Sequence, residues 1–245
     1  MGYEWFISLR YLKAKRRQGF ISLISIISVA GVAVGVMALI VVLAVMTGFT
    51  DSLREKILGI NSHIVVQRLG NGITDYKGLS QEILQENGVM AATPYTYSQT
   101  MLSAPDASAG AVIRGIDPTT ANDVLSLNSQ LAKGRVSDLN SESLSPGDSK
   151  TDKLPSRVLP GIILGKELAK NLHVGINDNI RLFSPSGPLT PMGVIPKIKT
   201  CRVVGIFDTG MYEYDSSLAY ISLTAAQDFL ELGNNVHGLE LKVDD

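Results

Sequence analysis

No charged residue occurs from Phe20 to Phe49. At about 1.5 Å per residue a helix of that length reaches roughly 45 Å, against a hydrocarbon core of about 30 Å. Inside hydrocarbon every backbone N–H and C=O has to be satisfied within the segment, which imposes a helix. The alternative, a buried core helix of a soluble domain, would need apolar cover on all sides. The pattern therefore predicts a transmembrane helix over residues 20–49. The run is about twice the length of a signal-peptide core, and no small-x-small site ends it, so the expectation is an uncleaved anchor. Ahead of it, Trp5, Leu9 and Leu12 fall at i, i+4 and i+7 and predict an amphipathic helix within residues 1–19, lying on the membrane surface. Inside the span, Gly31 and Gly35 form G-x-x-x-G, a spacing that lets a second helix approach closely and predicts helix packing there.

Beyond the span the periodicities shorten. Helical pattern continues over Ser52–Ile60, and His63–Arg68 alternates as a strand. Gly70-Asn71-Gly72 marks a turn, Leu79–Glu86 a short helix opened by Gly78, and Val89–Ala104 a long extended stretch interrupted at Pro94. Ala111–Ile116 reads as a strand, and Asp117-Pro118 opens a helix running to Leu127. Residues 137–160 are dominated by Ser, Asp, Asn, Gly and Pro and read as a mobile surface loop. Order returns with strands at Ile162–Leu164, Asp178–Ser184, Lys199–Phe207, Ser217–Ser222 and Val236–Val243, and helices at Gly165–Leu172 and Leu223–Leu232. Short strands mixed with short helices predict an α+β domain over residues 50–245, with mostly antiparallel pairing.

Charge gives this arrangement a direction. Arg10, Lys13, Lys15, Arg16 and Arg17 precede the span with only Glu4 opposing them, whereas Asp51, Arg54, Glu55 and Lys56 nearly cancel after it. The excess of basic residues predicts a cytoplasmic N-terminus and a domain on the far side of the membrane. Residues 51–245 carry 17 basic against 22 acidic residues, a net charge of −5 that argues against nucleic acid as a partner. Cys201 is the sole cysteine, so no intramolecular disulfide forms, and its strand pattern predicts a buried, inert thiol. A disulfide-free ectodomain of this size suits a bacterial periplasm.

The second informative stretch is Phe183–Lys197, which holds Pro185, Pro188, Pro191 and Pro196 among the ten prolines of the chain. Each fixes φ and removes a backbone donor, which excludes a helix or a central strand. Lying between two strand-like arms, the stretch predicts a stiff hairpin standing off the domain. Leu189, Met192, Val194 and Ile195 have no periodicity that would bury them there, and apolar side chains on a rigid tip predict a partner. A proline-rich loop folded back over its own domain is the alternative.

Catalytic and metal chemistry have no such footing. His63, His173 and His237 are isolated in sequence. Gly161-Ile-Ile-Leu-Gly165-Lys166-Glu167 is one residue too short for a phosphate loop and places Glu167 where a Ser or Thr would hold magnesium. Asp208, Glu213 and Asp215 match no calcium-loop spacing and read as a solvated acidic turn.

Phe6-Ile-Ser-Leu-Arg-Tyr-Leu12, Gly35-Val-Met-Ala-Leu39, Val45-Met-Thr-Gly-Phe49, Lys56-Ile-Leu-Gly59 and Arg114-Gly-Ile-Asp-Pro118 together resemble the LolC/LolE permease subunits of the bacterial lipoprotein-releasing ABC transporter. The likeness runs through the whole chain. It implies a MacB-like periplasmic core on an N-terminal transmembrane helix in the inner membrane. It also implies a LolD-like ATPase as a separate subunit, a second permease subunit (LolE-like or identical), lipoprotein substrates and the periplasmic carrier LolA, with no enzymatic activity or cofactor of the chain's own. That family has four membrane helices, so three further spans are expected after Asp245; the sequence is then part of a longer subunit or a truncated one. Thr190-Pro191-Met192-Gly193 followed by Ile195-Pro196 resembles the carrier-docking hook of LolC-type subunits, one residue shorter before Thr190. The resemblance assigns the hook to Pro188, Leu189, Pro191, Met192, Val194, Ile195 and Pro196, and a neighbouring carrier-binding patch to Arg181 and Lys199, with Ile198 standing where a glutamine is expected. Two alternatives stay open: a MacB-like efflux permease, whose ectodomain lacks this hook, and a single-pass anchored interaction or sensory domain.

Overall fold

The computed structural model describes residues 3–13, 19–68, 70, 72–140, 159–184, 189–190, 193–194 and 196–244. They divide into two compact units, Met1–Glu55 and Lys56–Asp245. In the first, α1 spans Tyr3–Lys13 and α2 begins at Gly19, running on to Ile60. Leu23–Arg54 of α2 is long and apolar enough to cross a membrane. Of the predicted amphipathic face of α1, Trp5 is exposed, and the side chains of Leu9 and Leu12 lie outside the described residues.

In the second unit, β1 (Ile64–Gln67) is followed by α3 (Tyr76–Ile83). This helix starts three residues before the predicted opening at Leu79, because the Asp75 carboxylate accepts from the Gly78 N–H and caps it. Then come β2 (Val89–Ser103), β3 (Ser108–Ile116), α4 (Ala121–Leu125), α5 (Leu127–Gln130) and β4 (Leu131–Lys133). The single helix expected after Pro118 is two short ones, broken at Ser126, whose φ is +47°. A 3₁₀ turn at Val136–Asn140 buries Val136 and Leu139, so the segment predicted as a loop starts with packed structure; residues 141–158 of it lie outside the described residues. The remainder is β5 (Gly161–Gly165), α6 (Lys166–Asn171), β6 (Asn179–Ser184), β7 (Leu189–Thr190), β8 (Gly193–Val194), β9 (Lys197–Phe207), α7 (Tyr212–Ser217), β10 (Leu218–Ser222), α8 (Leu223–Leu230) and β11 (Gly238–Val243).

The length of β2 organises the sheet. One flank pairs with β3 from Tyr95 to Ser103. The other flank pairs with β11 over its first half and with β6 at Met101–Ser103. Pro94 does not interrupt the strand as expected, since it precedes the start of the β3 ladder and stands where one flank is still unpaired. Parallel pairs β3–β10 and β5–β9, with antiparallel pairs β10–β5, β9–β6 and β6–β2, complete a closed ring of six strands. β1 and β11 extend it on one side, and β4 adds to β9.

Alternation sorts the side chains between the two faces of this ring. Leu102, Ile113, Ile162, Leu164, Ile180, Leu182, Cys201, Val203, Ala219 and Ile221 form its interior, plugged by Leu168 and Leu172 from the α6 segment and Ala226 and Phe229 of α8. On the outside, Ile116, Ile163, Phe207, Leu218 and Tyr220 pack under α4, α5 and the 3₁₀ turn, and Phe207 meets Tyr220 edge to face at 5.4 Å. The segment that superficially matches a phosphate loop is the buried strand β5. Its closing Gly165 lies against the Asp215 carbonyl, which an added Cβ would approach to 2.2 Å.

Candidate functional site

The hairpin stands on two long arms. β6 and β9 pair from Asn179↔Arg202 to Ser184↔Lys197, and the chain between them returns through the small β7–β8 ladder, with Leu189 opposite Val194 and Thr190 opposite Gly193. Residues 191 and 192 join these two strands. The predicted hook residues Pro188, Pro191, Met192 and Ile195 lie outside the described residues, as do the side chains of Leu189 and Val194; Pro196 is exposed.

The base of the hairpin is braced by lysines. Lys199 Nζ donates to the Ala225 carbonyl at 3.0 Å and to the Asp228 carboxylate at 2.7 Å. Lys197 Nζ donates to the Asp228 carbonyl at 2.8 Å and pairs with Glu231 at 3.2 Å. Lys199 holds the Asp228 carboxyl below the usual carboxylate range through this hydrogen bond and its charge. Both lysines thus tie β9 to α8.

Arg181 and Lys199 are not brought together. Arg181 is opposite Thr200 on the outer face, whereas Lys199 is opposite Leu182 and turns towards α8. One residue of register separates the two faces, so the pleat turns Lys199 away from the side that carries Arg181. On the outer face, Arg181 shares its surroundings with Phe183 and Ile198, the latter 52% exposed. Beside them a groove of about 570 Å³ is lined by residues including Met101, Gly110, Val112, Phe183, Pro196 and Ser217. Sequence reading missed it because its lining comes from three strands. The available signal was an apolar residue, Met101, on the outward phase of β2.

Elsewhere, ionisable groups serve the fold. Asp215 is buried and accepts from the N–H and hydroxyl of Thr209, both at 2.9 Å, while Asp208 pairs with Lys166 at 2.5 Å. The acidic turn expected there is in part the helix α7. Burial pushes the Cys201 thiol up to about 12. Arg114 is buried, pairs with Glu240 and lies 6.0 Å from the ring centre of Tyr95. His63 and His237 contact backbone, and His173 has a φ of +55°. Among the described residues no three His, Cys, Asp or Glu side chains converge as metal ligands. In α2, a Cβ added at Gly31 or Gly35 would meet nothing within 4 Å, so both glycines are open to a second helix.

Comparison with known proteins places the chain among relatives. Over 242 residues, 99% of the chain, it is 36% identical to the lipoprotein-releasing system transmembrane protein LolC of Neisseria meningitidis. It is 34% identical over 98% of its length to LolC of Xylella fastidiosa, and 26% identical over its full length to LolE of Haemophilus influenzae. The chain spans about half the length of these relatives, 54% for the first two and 56% for the third. Residues 25–245 match the family model of the MacB-like periplasmic core domain. The chain belongs to the MacB-like periplasmic core domain family.

Proposed function

We propose that this chain is a permease subunit of an ABC transporter that releases lipoproteins from the inner membrane and passes them to a periplasmic carrier. The observation that carries the reading is the β7–β8 hairpin on its braced arms, in a chain 36% identical to a LolC protein over nearly its full length. In this reading the N-terminus is cytoplasmic, residues 50–245 are periplasmic, and Gly31 and Gly35 of α2 pack against a helix of a second permease subunit. ATP is hydrolysed by a separate LolD-like subunit. Pro191 and Met192 at the hairpin turn engage LolA, supported by Pro188, Leu189, Val194, Ile195 and Pro196. Arg181 offers a polar contact on the outer face. Lys199 contributes by bracing the hairpin, since its ammonium is committed to α8.

The test is capture of the carrier by the full chain in detergent micelles. Met192→Lys places a charge at the tip and is expected to abolish capture with no change in unfolding midpoint. Unchanged capture would remove the hook assignment, and binding of an efflux adaptor in place of the carrier would favour a MacB-like efflux subunit.

A further inference from the structure

A second cavity, of about 510 Å³, lies away from the hairpin between β1, β2 and the turn entering β11. It is lined by Gln67, Arg68, Gly70, Tyr95, Tyr97 and His237. Two of the acceptors in its lining, His237 Nδ1 and Gln67 Oε1, are already engaged. The Tyr97 backbone N–H donates to His237 Nδ1 at 2.9 Å, so the neutral ring carries its proton on Nε2. The Tyr95 hydroxyl donates to Gln67 Oε1 at 3.4 Å, which leaves the Gln67 amide hydrogens as donors. Arg68 is exposed and, among the described residues, enters no ion pair. Among the described residues, no carboxylate lines the cavity. The acid nearest in register on that face, Glu240, is taken up by Arg114.

A concave site offering a guanidinium, an imidazole N–H and an amide, with no acceptor of matching charge, is complementary to an oxyanion. Its volume exceeds what a bare anion fills and suits a group with a body that lies along the two tyrosine rings. We propose that this cavity binds a phosphate group, held by Arg68 and the Nε2–H of His237. The phosphate belongs either to a phospholipid head group or to a free phosphate.

The experiment uses the full chain in maltoside micelles, which contain no phosphate. Inorganic phosphate, compared with chloride at equal ionic strength, is expected to raise the unfolding midpoint saturably and to move the ring NMR signals of His237. Arg68→Gln is expected to raise the half-saturating phosphate concentration at least tenfold. His237→Asn keeps an acceptor for the Tyr97 N–H but lacks the Nε2 donor, and should do the same while leaving the phosphate-free midpoint unchanged above the pH range in which histidine titrates. An equal response to chloride, or an unaltered response in both variants, would overturn the proposal. Nanodiscs then identify the source. If the His237 signals in phosphatidylglycerol discs match the phosphate-bound ones without added phosphate, and those in phosphate-free galactolipid discs do not, the occupant is a head group. If they match only on adding inorganic phosphate, it is the free anion, and if they move in neither case the site is not a phosphate site.

Discussion

Single residues show where the pleat decides a role that composition leaves open. Lys199 and Arg181 are both basic and lie on the paired strands β9 and β6, one register position apart, yet one braces α8 and the other faces outward. Lys199→Ala removes two hydrogen bonds from a largely buried ammonium and is expected to cost about 1–2 kcal/mol in chemical unfolding, whereas Arg181→Ala stays within about 0.5 kcal/mol. Equal effects would mean that the brace carries no stability. His237 gives a pH dependence. Burial lowers its pKa in the folded chain. Protonation also leaves Nδ1 unable to accept from the Tyr97 N–H. The unfolded state therefore binds the proton first, so stability is fully present above the ordinary histidine value near 6.5, falls as pH drops through it, and levels off below the folded value. His237→Asn should flatten unfolding free energy against pH in that window. Asp228 and Asp208 also have lowered pKa values, through Lys199 and Lys166 respectively, but their stability is lost only at the lower pH where carboxylates protonate, so the two effects separate.

At the level of elements, periodicity was a good guide wherever one chain segment decides its own state. Cys201 lies in a buried strand as its surroundings implied; β5, α8 and β11 fall within two residues of their expected positions, and β3 begins three residues before its own. It failed where a neighbour decides. Pro94 looked like an interruption, but the strand passes through it because β3 has not yet begun to pair. Tyr212–Ser217 looked like a solvated turn, and it is a helix whose Asp215 is turned inward to hold Thr209. The hairpin was legible because four prolines forbid the regular alternatives, while its bracing by Lys197 and Lys199 was not, since Asp228 and Glu231 lie some thirty residues away. Loosening that brace should reach the hairpin. Asp228→Asn keeps the Lys197 contact to the Asp228 carbonyl and weakens the Lys199 pair. If the arms present the tip, carrier capture falls several-fold with a stability loss of about 1 kcal/mol or less. Capture unchanged in this variant but lost in Met192→Lys would show that the tip alone governs docking.

For the molecule as a whole, closure of the ring was the feature least accessible to sequence. It depends on β2 exchanging β11 for β6 along one flank, a long-range choice that no local pattern encodes. Leu182 is fully buried at that closure, so Leu182→Ala should cost about 2–5 kcal/mol, with carrier capture lost only in step with unfolding. Orientation is the remaining whole-molecule property, and the single cysteine makes it measurable. Cys201 is buried and its thiol is pushed up to about 12, so at neutral pH it supplies almost no thiolate to a maleimide. A new cysteine on an exposed site then reports alone. Ser8 on α1 and Asp106 between β2 and β3 are both exposed. With the basic flank before the span held in the cytoplasm, Asp106→Cys reacts with a membrane-impermeant maleimide in cells whose outer membrane has been opened, and Ser8→Cys reacts only after the inner membrane is dissolved. The reverse pattern would place the α/β unit in the cytoplasm, where a periplasmic carrier could not reach the hairpin. Equal labelling of both sites in intact inner membranes would mean that α2 does not span.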